Sequence, residues 1–142
     1  MTSDEKKKKS PRIKKKNLLS SGSTLLNLAT TGKKEGAYLK GHYHFFVGDS
    51  AAGKTWLALM ALAEAAKNKE FDDYELIYDN TEDGALMNFT RFFGQKMADR
   101  VRAPKHEDDQ PIFSTTIESF YYNVDDALSQ GPCIYILGSM DA

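Results

Sequence analysis

Apolar residues along this chain fall into two kinds of run that alternate: short unbroken clusters, and longer stretches spaced at three and four. Phe45, Phe46 and Val47, preceded by His42, Tyr43 and His44 and stopped by Gly48, form an aromatic and β-branched run that predicts a buried strand. Thr55 to Ala66 is dense in Ala, Leu and Met and free of Gly and Pro, which predicts a largely buried helix closing near Lys67 to Glu70. Tyr74 to Tyr78 reads as a second strand. Leu86, Phe89, Phe93 and Met97 keep helical spacing after it, with Gly94 as a weak point. Thr115, with Glu118 three residues on, fits a capping box, and Ile117, Phe120, Tyr121, Val124 and Leu128 follow at i, i+3, i+4, i+7 and i+11. Gly131 and Pro132 end that helix. Cys133 to Leu137 then runs without alternation, as a central strand covered on both faces would. Strands and helices in alternation predict an α/β fold with a mainly parallel sheet.

Composition sets bounds on this picture. At 142 residues, with 41 % apolar and 27 % charged positions, the chain suits one domain with a core and excludes fibrous or wholly disordered classes. No apolar run approaches the roughly 20 residues a bilayer needs, so no membrane partner is expected. Cys133 is the single cysteine and no apolar segment follows the N-terminal lysines, which points to an intracellular, cytoplasmic setting. The net charge of -1 conceals an asymmetry. Residues 1–16 hold eight of the nineteen Lys and Arg against two acids, a charge of +6, and the remainder, eleven against eighteen, carries -7. Residues 1–17 therefore read as a basic, disordered tail on an acidic body at 18–142; a tether to nucleic-acid phosphates and a targeting signal are the functional alternatives to a merely solvated segment.

The strongest chemical signal follows the first strand. Gly48, Asp49, Ser50, Ala51, Ala52, Gly53, Lys54 and Thr55 match the P-loop pattern, with the required strand before it and the required helix beginning in it. Small residues let backbone N–H groups wrap phosphates, Lys54 adds a full charge, and Thr55 is placed to ligate Mg²⁺ through its hydroxyl. Where a P-loop enzyme ends its later strand on an acid that orients the metal shell, this chain has Gly138, and Asp141 could substitute only by folding back. Asp79, Asn80, Thr81, Glu82 and Asp83 close the second strand. Glu82 is the general-base candidate for activating water, set against a solvated acidic turn, a reading that suits Asp79 and Asp83 better still. His42 and His44 share a strand face but lack a third ligand, Cys133 reads as a small hydrophobe, and Phe120, Tyr121 and Tyr122 read as core rather than as a base-stacking platform.

The order of these motifs resembles the RecA/KaiC-type P-loop ATPase core, and within it the phage RecA-like (UvsX-related) recombinases. Ser21-Gly22-Ser23-Thr24-Leu25-Leu26-Asn27 resembles the entry segment and Gly41 to Thr55 the first strand and P-loop. Tyr78 to Gly84 resembles the strand end bearing the catalytic glutamate. Ile134 to Ala142 resembles a segment where the family usually reads Leu-Asp-Ser-Met-Asp-Ala, here with Gly138 in place of the acid. The resemblance implies the N-terminal part of a RecA-like core, C-terminally truncated, that binds ATP and Mg²⁺ at Gly48 to Thr55 and uses Glu82 to activate water. It also implies a DNA-dependent ATPase of recombination and repair, acting on single-stranded DNA as a self-associating filament, in the host cytoplasm if phage-encoded. A nucleotide-binding regulatory or interaction module without turnover, or an inactive recombinase fragment, is the alternative, and a small-molecule kinase is disfavoured by the lack of a lid segment or arginine-rich acceptor site.

Overall fold

A computed structural model describes residues 12–82 and 87–138. Outside them lie Lys6, Lys7, Lys8 and Lys9 of the basic stretch, Asp83, Gly84 and Leu86, and the segment from Ser139 to Ala142. Within the stretch read as a tail, Lys15–Asn17 forms a single 3-10 turn, and Lys15 pairs with Glu35 at 2.6 Å. β1 (Leu18–Leu19) is buried and leads to α1 (Thr24–Thr31), whose N-terminal N–H on Leu26 is taken by the Ser23 hydroxyl. α1 stops at Gly32, in the left-handed region at φ 69°, and β2 (Tyr38–Leu39) returns antiparallel to β1. Asn27 holds this entry segment from inside, accepting from the Ser21 N–H and hydroxyl and donating to the Lys34 carbonyl.

α2 (Lys54–Lys67) realises the predicted helix, and its alanines let it sink deep: Leu59, Leu62 and Ala65 are fully enclosed. β3 (Glu75–Asp79) follows, then α3 (Phe89–Phe93) and α4 (Gln95–Arg100). These two replace the single helix expected from the spacing of Phe89, Phe93 and Met97. Gly94, at φ 91° and ψ 162°, takes a conformation essentially closed to other residues and breaks the run. β4 (Val101–Arg102) precedes a hairpin of β5 (Lys105–Glu107) and β6 (Gln110–Ile112), turned by Asp108 and Asp109, both at positive φ. α5 (Ile117–Gln130) and β7 (Cys133–Leu137) complete the described chain.

Three strands form a parallel sheet in the order β4-β3-β7, with Glu75 opposite Cys133 and Asp79 opposite Leu137. The molecule is thus a mixed α/β fold around a parallel sheet. Ile134 and Ile136 face a core of Leu59, Leu62, Phe71, Leu76, Phe93 and Met97 on the α2 side. Tyr135, of opposite parity, turns to the other face, where Phe120 of α5 packs on it. Arg100 fastens α4 to the turn before β3 by donating to the Phe71 and Tyr74 carbonyls. No helix among the described residues is long and apolar enough to cross a membrane.

Four further expectations need correction. Phe45 to Val47 forms no strand; Phe45 and Val47 are 79 % and 96 % exposed, because His44 and Phe46 pack on Tyr38 and no strand among the described residues partners the segment. β7 is not central among the described residues: it pairs with β3 alone, so its five residues remain half-buried. The capping box of α5 is made by Thr116 and Ser119, one position past Thr115 and Glu118. Finally, α5 buries Asn123 and Ala127 and leaves Ile117, Tyr121, Tyr122 and Leu128 exposed, so Tyr121 and Tyr122 are not core residues.

Candidate functional site

The P-loop pattern lies where a helix opens. Residues 48–53 form an exposed loop with a tight turn in which the Ala52 N–H bonds to the Asp49 carbonyl. A Cβ at Gly48 would stand 3.4 Å from that of Ala52, an ordinary contact, so the loop is close here without requiring glycine. Ala51 and Gly53 take positive φ, 61° and 92°, which swings the backbone into α2. Gly53 caps the helix without a side chain, so the N–H groups of its first turn, at Lys54, Thr55 and Trp56, carry no side-chain cap. Lys54 curls back over the loop, its Nζ donating to the Gly48 carbonyl at 2.5 Å and the Asp49 carbonyl at 3.1 Å. An ammonium, uncapped first-turn N–H groups and small residues make a donor set that fits phosphate oxygens. Thr55 is half-buried beside Lys54 and adds one hydroxyl of the kind that can ligate Mg²⁺.

Aromatic contacts carry this loop's helix to the end of β3. Trp56, next to Thr55, packs on Phe92 and Phe93; Phe93 touches Phe89, and Phe89 lies against Tyr78. Glu82 is exposed just beyond the strand end. Burial pushes the Tyr78 hydroxyl above the usual tyrosine range, and the charge of Glu82 adds to it. Gly138, leaving the neighbouring strand, donates its N–H to the Asp79 carbonyl at 2.8 Å. A Cβ at 138 would meet that same carbonyl at 3.3 Å and the Asn80 and Thr81 backbone at 3.5 Å. Glycine therefore fits a close approach of the two strand ends, in the place where an acid was expected.

Asp79 is the residue that sequence reasoning missed. It is fully buried, not part of a solvated acidic turn. Its Oδ1 accepts from the Ser114 N–H at 2.8 Å, and its Oδ2 accepts from the Ser114 hydroxyl at 2.5 Å and from Tyr135 at 2.6 Å. Asn123 of α5 donates to the Ser114 hydroxyl in turn. Burial, followed by the hydrogen bond to Asp79, raises the Tyr135 hydroxyl far above its usual range. The available signal was Asn123, one polar residue on the inward face of an amphipathic helix beside Phe120 and Ala127. With its oxygens engaged by three donors, Asp79 ties β3 to β7 and to the segment that leads into α5.

The remaining candidates stay apart from this centre. His42 and His44 are exposed and bond to the Lys40 and Leu39 carbonyls, and among the described residues no three His, Cys, Asp or Glu gather as a metal site. Burial raises the half-buried Cys133 thiol. In comparisons with known proteins, the chain matches no family model, no curated protein and no solved structure.

Proposed function

We propose that Gly48 to Thr55 bind the phosphates of ATP with Mg²⁺, in a P-loop ATPase of the RecA/KaiC type. The observation that carries this reading is Lys54, at the uncapped N-terminus of a 14-residue helix, with its ammonium already over the loop carbonyls. With nucleotide bound, Lys54 would exchange those carbonyls for phosphate oxygens, the first-turn N–H groups would supply further donors, and the Thr55 hydroxyl would be a metal ligand. Bound Mg²⁺ supplies charge neutralisation at the phosphates. Glu82, exposed three residues past the end of β3, would take the proton of the attacking water. From the likeness of its motifs we further infer a role in homologous recombination on single-stranded DNA, the protein assembling as a filament and its basic N-terminal stretch adding phosphate contacts.

A second reading is favoured by one specific observation. Gly138 offers no carboxylate and the Asp79 carboxylate is engaged by Ser114 and Tyr135, so neither of these two positions supplies a free acid to a metal shell. The chain is then a nucleotide-binding module that switches state without turnover. Calorimetric titration with ATP and Mg²⁺, beside Lys54→Ala, tests the shared core of both readings. Saturable binding weakened at least about tenfold in the variant, the loss of a charge-assisted contact, is expected. Equal binding by the two folded chains would exclude the loop as the site. Phosphate release with and without single-stranded DNA, lost in Glu82→Gln, then separates turnover from switching.

A further inference from the structure

Charge sorts along this chain into three blocks. Residues 1–16 carry +6, residues 17–106 hold eleven Lys and Arg against eleven acids, and residues 107–142 hold seven acids with no Lys, Arg or His. Six of those seven are described and all six are exposed: Glu107, Asp108 and Asp109 on the β5–β6 hairpin, Glu118, Asp125 and Asp126 on α5. None of the six forms an ion pair with a described residue. On α5 the carboxylates share the outer side of the helix with large apolar groups, Ile117, Tyr121, Tyr122 and Leu128. Glu118 and Asp125, seven residues and about 10 Å apart, stand on one line along the helix with Tyr121 and Tyr122 to either side of it. A groove of about 420 Å³ continues this face towards the hairpin, between Tyr122, Asp125, Asp126 and Ser129 of α5 and Lys105 of β5.

We propose that the outer face of α5 seats the chain's own basic segment, with Lys6 to Lys9 lying across Glu118, Asp125 and Asp126. The central block is balanced, so the acids of residues 107–142 are the complement that the N-terminal excess of cations lacks. Lysine also suits a face that is apolar and acidic at once: its aliphatic stem lies along Tyr121 and Tyr122 while its ammonium meets a carboxylate. Lengths agree, since Lys6 to Lys9 extended spans about 10 Å, the separation of Glu118 from Asp125. Lys15, held by Glu35, fixes the start of the tether, and Lys6 to Lys14 extended reaches roughly 30 Å, the scale of a domain this size. One exposed ion pair contributes little, but four lysines on a tether meet three acids at an effective concentration on the order of millimolar, which favours the chain's own segment over that of a second copy. The seat and nucleic-acid phosphates then compete for the same lysines, so the acidic face restrains whatever phosphate contacts the basic stretch makes. The docking does not depend on the nucleotide reading.

Carbodiimide coupling, which joins an amine to a carboxylate in contact with it as an amide, tests the seat directly in the full chain. An equal mixture of isotope-labelled and unlabelled protein is coupled, digested and read by mass spectrometry. Links from Lys6 to Lys9 onto Glu118, Asp125 or Asp126 are expected, each within chains of one isotope. Neutralising the face with Glu118→Gln, Asp125→Asn and Asp126→Asn together should speed tryptic cleavage after Lys6 to Lys9 roughly threefold or more in about 50 mM salt, a difference lost near 1 M. The matched set Glu70→Gln, Asp72→Asn and Asp73→Asn removes the same charge from exposed residues before β3 and should leave the rate unchanged. Links that join the two isotopes would instead seat the segment on a second copy. That result, an absence of links, links spread evenly onto Glu70, Asp72 and Asp73, or equal acceleration by both sets would each overturn the proposal.

Discussion

Replacing Asp79 by Ala removes the acceptor on which two strands and a helix start converge. The carboxylate is fully enclosed and takes three donors, the Ser114 N–H, the Ser114 hydroxyl and Tyr135. Truncation leaves the Ser114 N–H buried without a partner, which costs about 1–3 kcal/mol. The two hydroxyls fare better: Ser114 still accepts from Asn123, and Tyr135 is half-exposed and can turn to water. Losing their charge-assisted bonds adds about 1 kcal/mol each, for a total of roughly 3–5 kcal/mol. Asp79→Asn keeps the shape and the bond from the Ser114 N–H, so it should cost about 1–2 kcal/mol. Urea unfolding followed by far-ultraviolet circular dichroism measures both, provided the slope m is unchanged; at ~2 kcal/mol per molar, the Ala variant shifts its midpoint by about 2 M. An Asp79→Ala midpoint within about 0.5 M of the parent would show that the network does not hold the strand ends.

Other outcomes follow from the same geometry. Because the Tyr135 hydroxyl has a raised pKa in the folded state, its stabilisation is complete below the ordinary tyrosine value of about 10 and is lost as pH rises above it. Tyr135→Phe should therefore show a shallower alkaline decline in stability, while Tyr38 and Tyr78, also raised, keep part of the slope. Leu62→Ala, at a fully enclosed position, should cost about 2–5 kcal/mol in the same urea assay, and a change below about 1 kcal/mol would contradict the assigned core. At Gly94 an added Cβ meets nothing within 4 Å, so the cost of Gly94→Ala is backbone strain alone, about 1–3 kcal/mol; unchanged stability would mean that the break between α3 and α4 relaxes.

α2 and β3 were legible in the sequence because each is specified by its own composition: an Ala- and Leu-rich stretch without breakers, and a short apolar run. The loop pattern from Gly48 to Thr55 was equally plain, as a pattern. That Lys54 folds onto the loop's own carbonyls was not, since a flexible side chain chooses among acceptors that only the folded backbone presents. Asp79 shows the limit more sharply. It looked like the first of a solvated acidic group, and its burial depends on Ser114 and Tyr135 arriving from 35 and 56 residues away. Phe45 to Val47 failed for a related reason, because a strand needs a partner that local propensity cannot provide. The capping box slipped by one residue, from Thr115 and Glu118 to Thr116 and Ser119, where adjacent threonines made both frames plausible in sequence.

Trp56 is the single tryptophan of the chain and stands one residue past Thr55, partly exposed and edge-on to Phe92. The protein thus carries an intrinsic optical probe at the first turn of α2, with no second indole to dilute its signal. Anything that engages that turn or shifts α3 beneath it alters the polarity around one ring, and a change in emission wavelength reports it without a label.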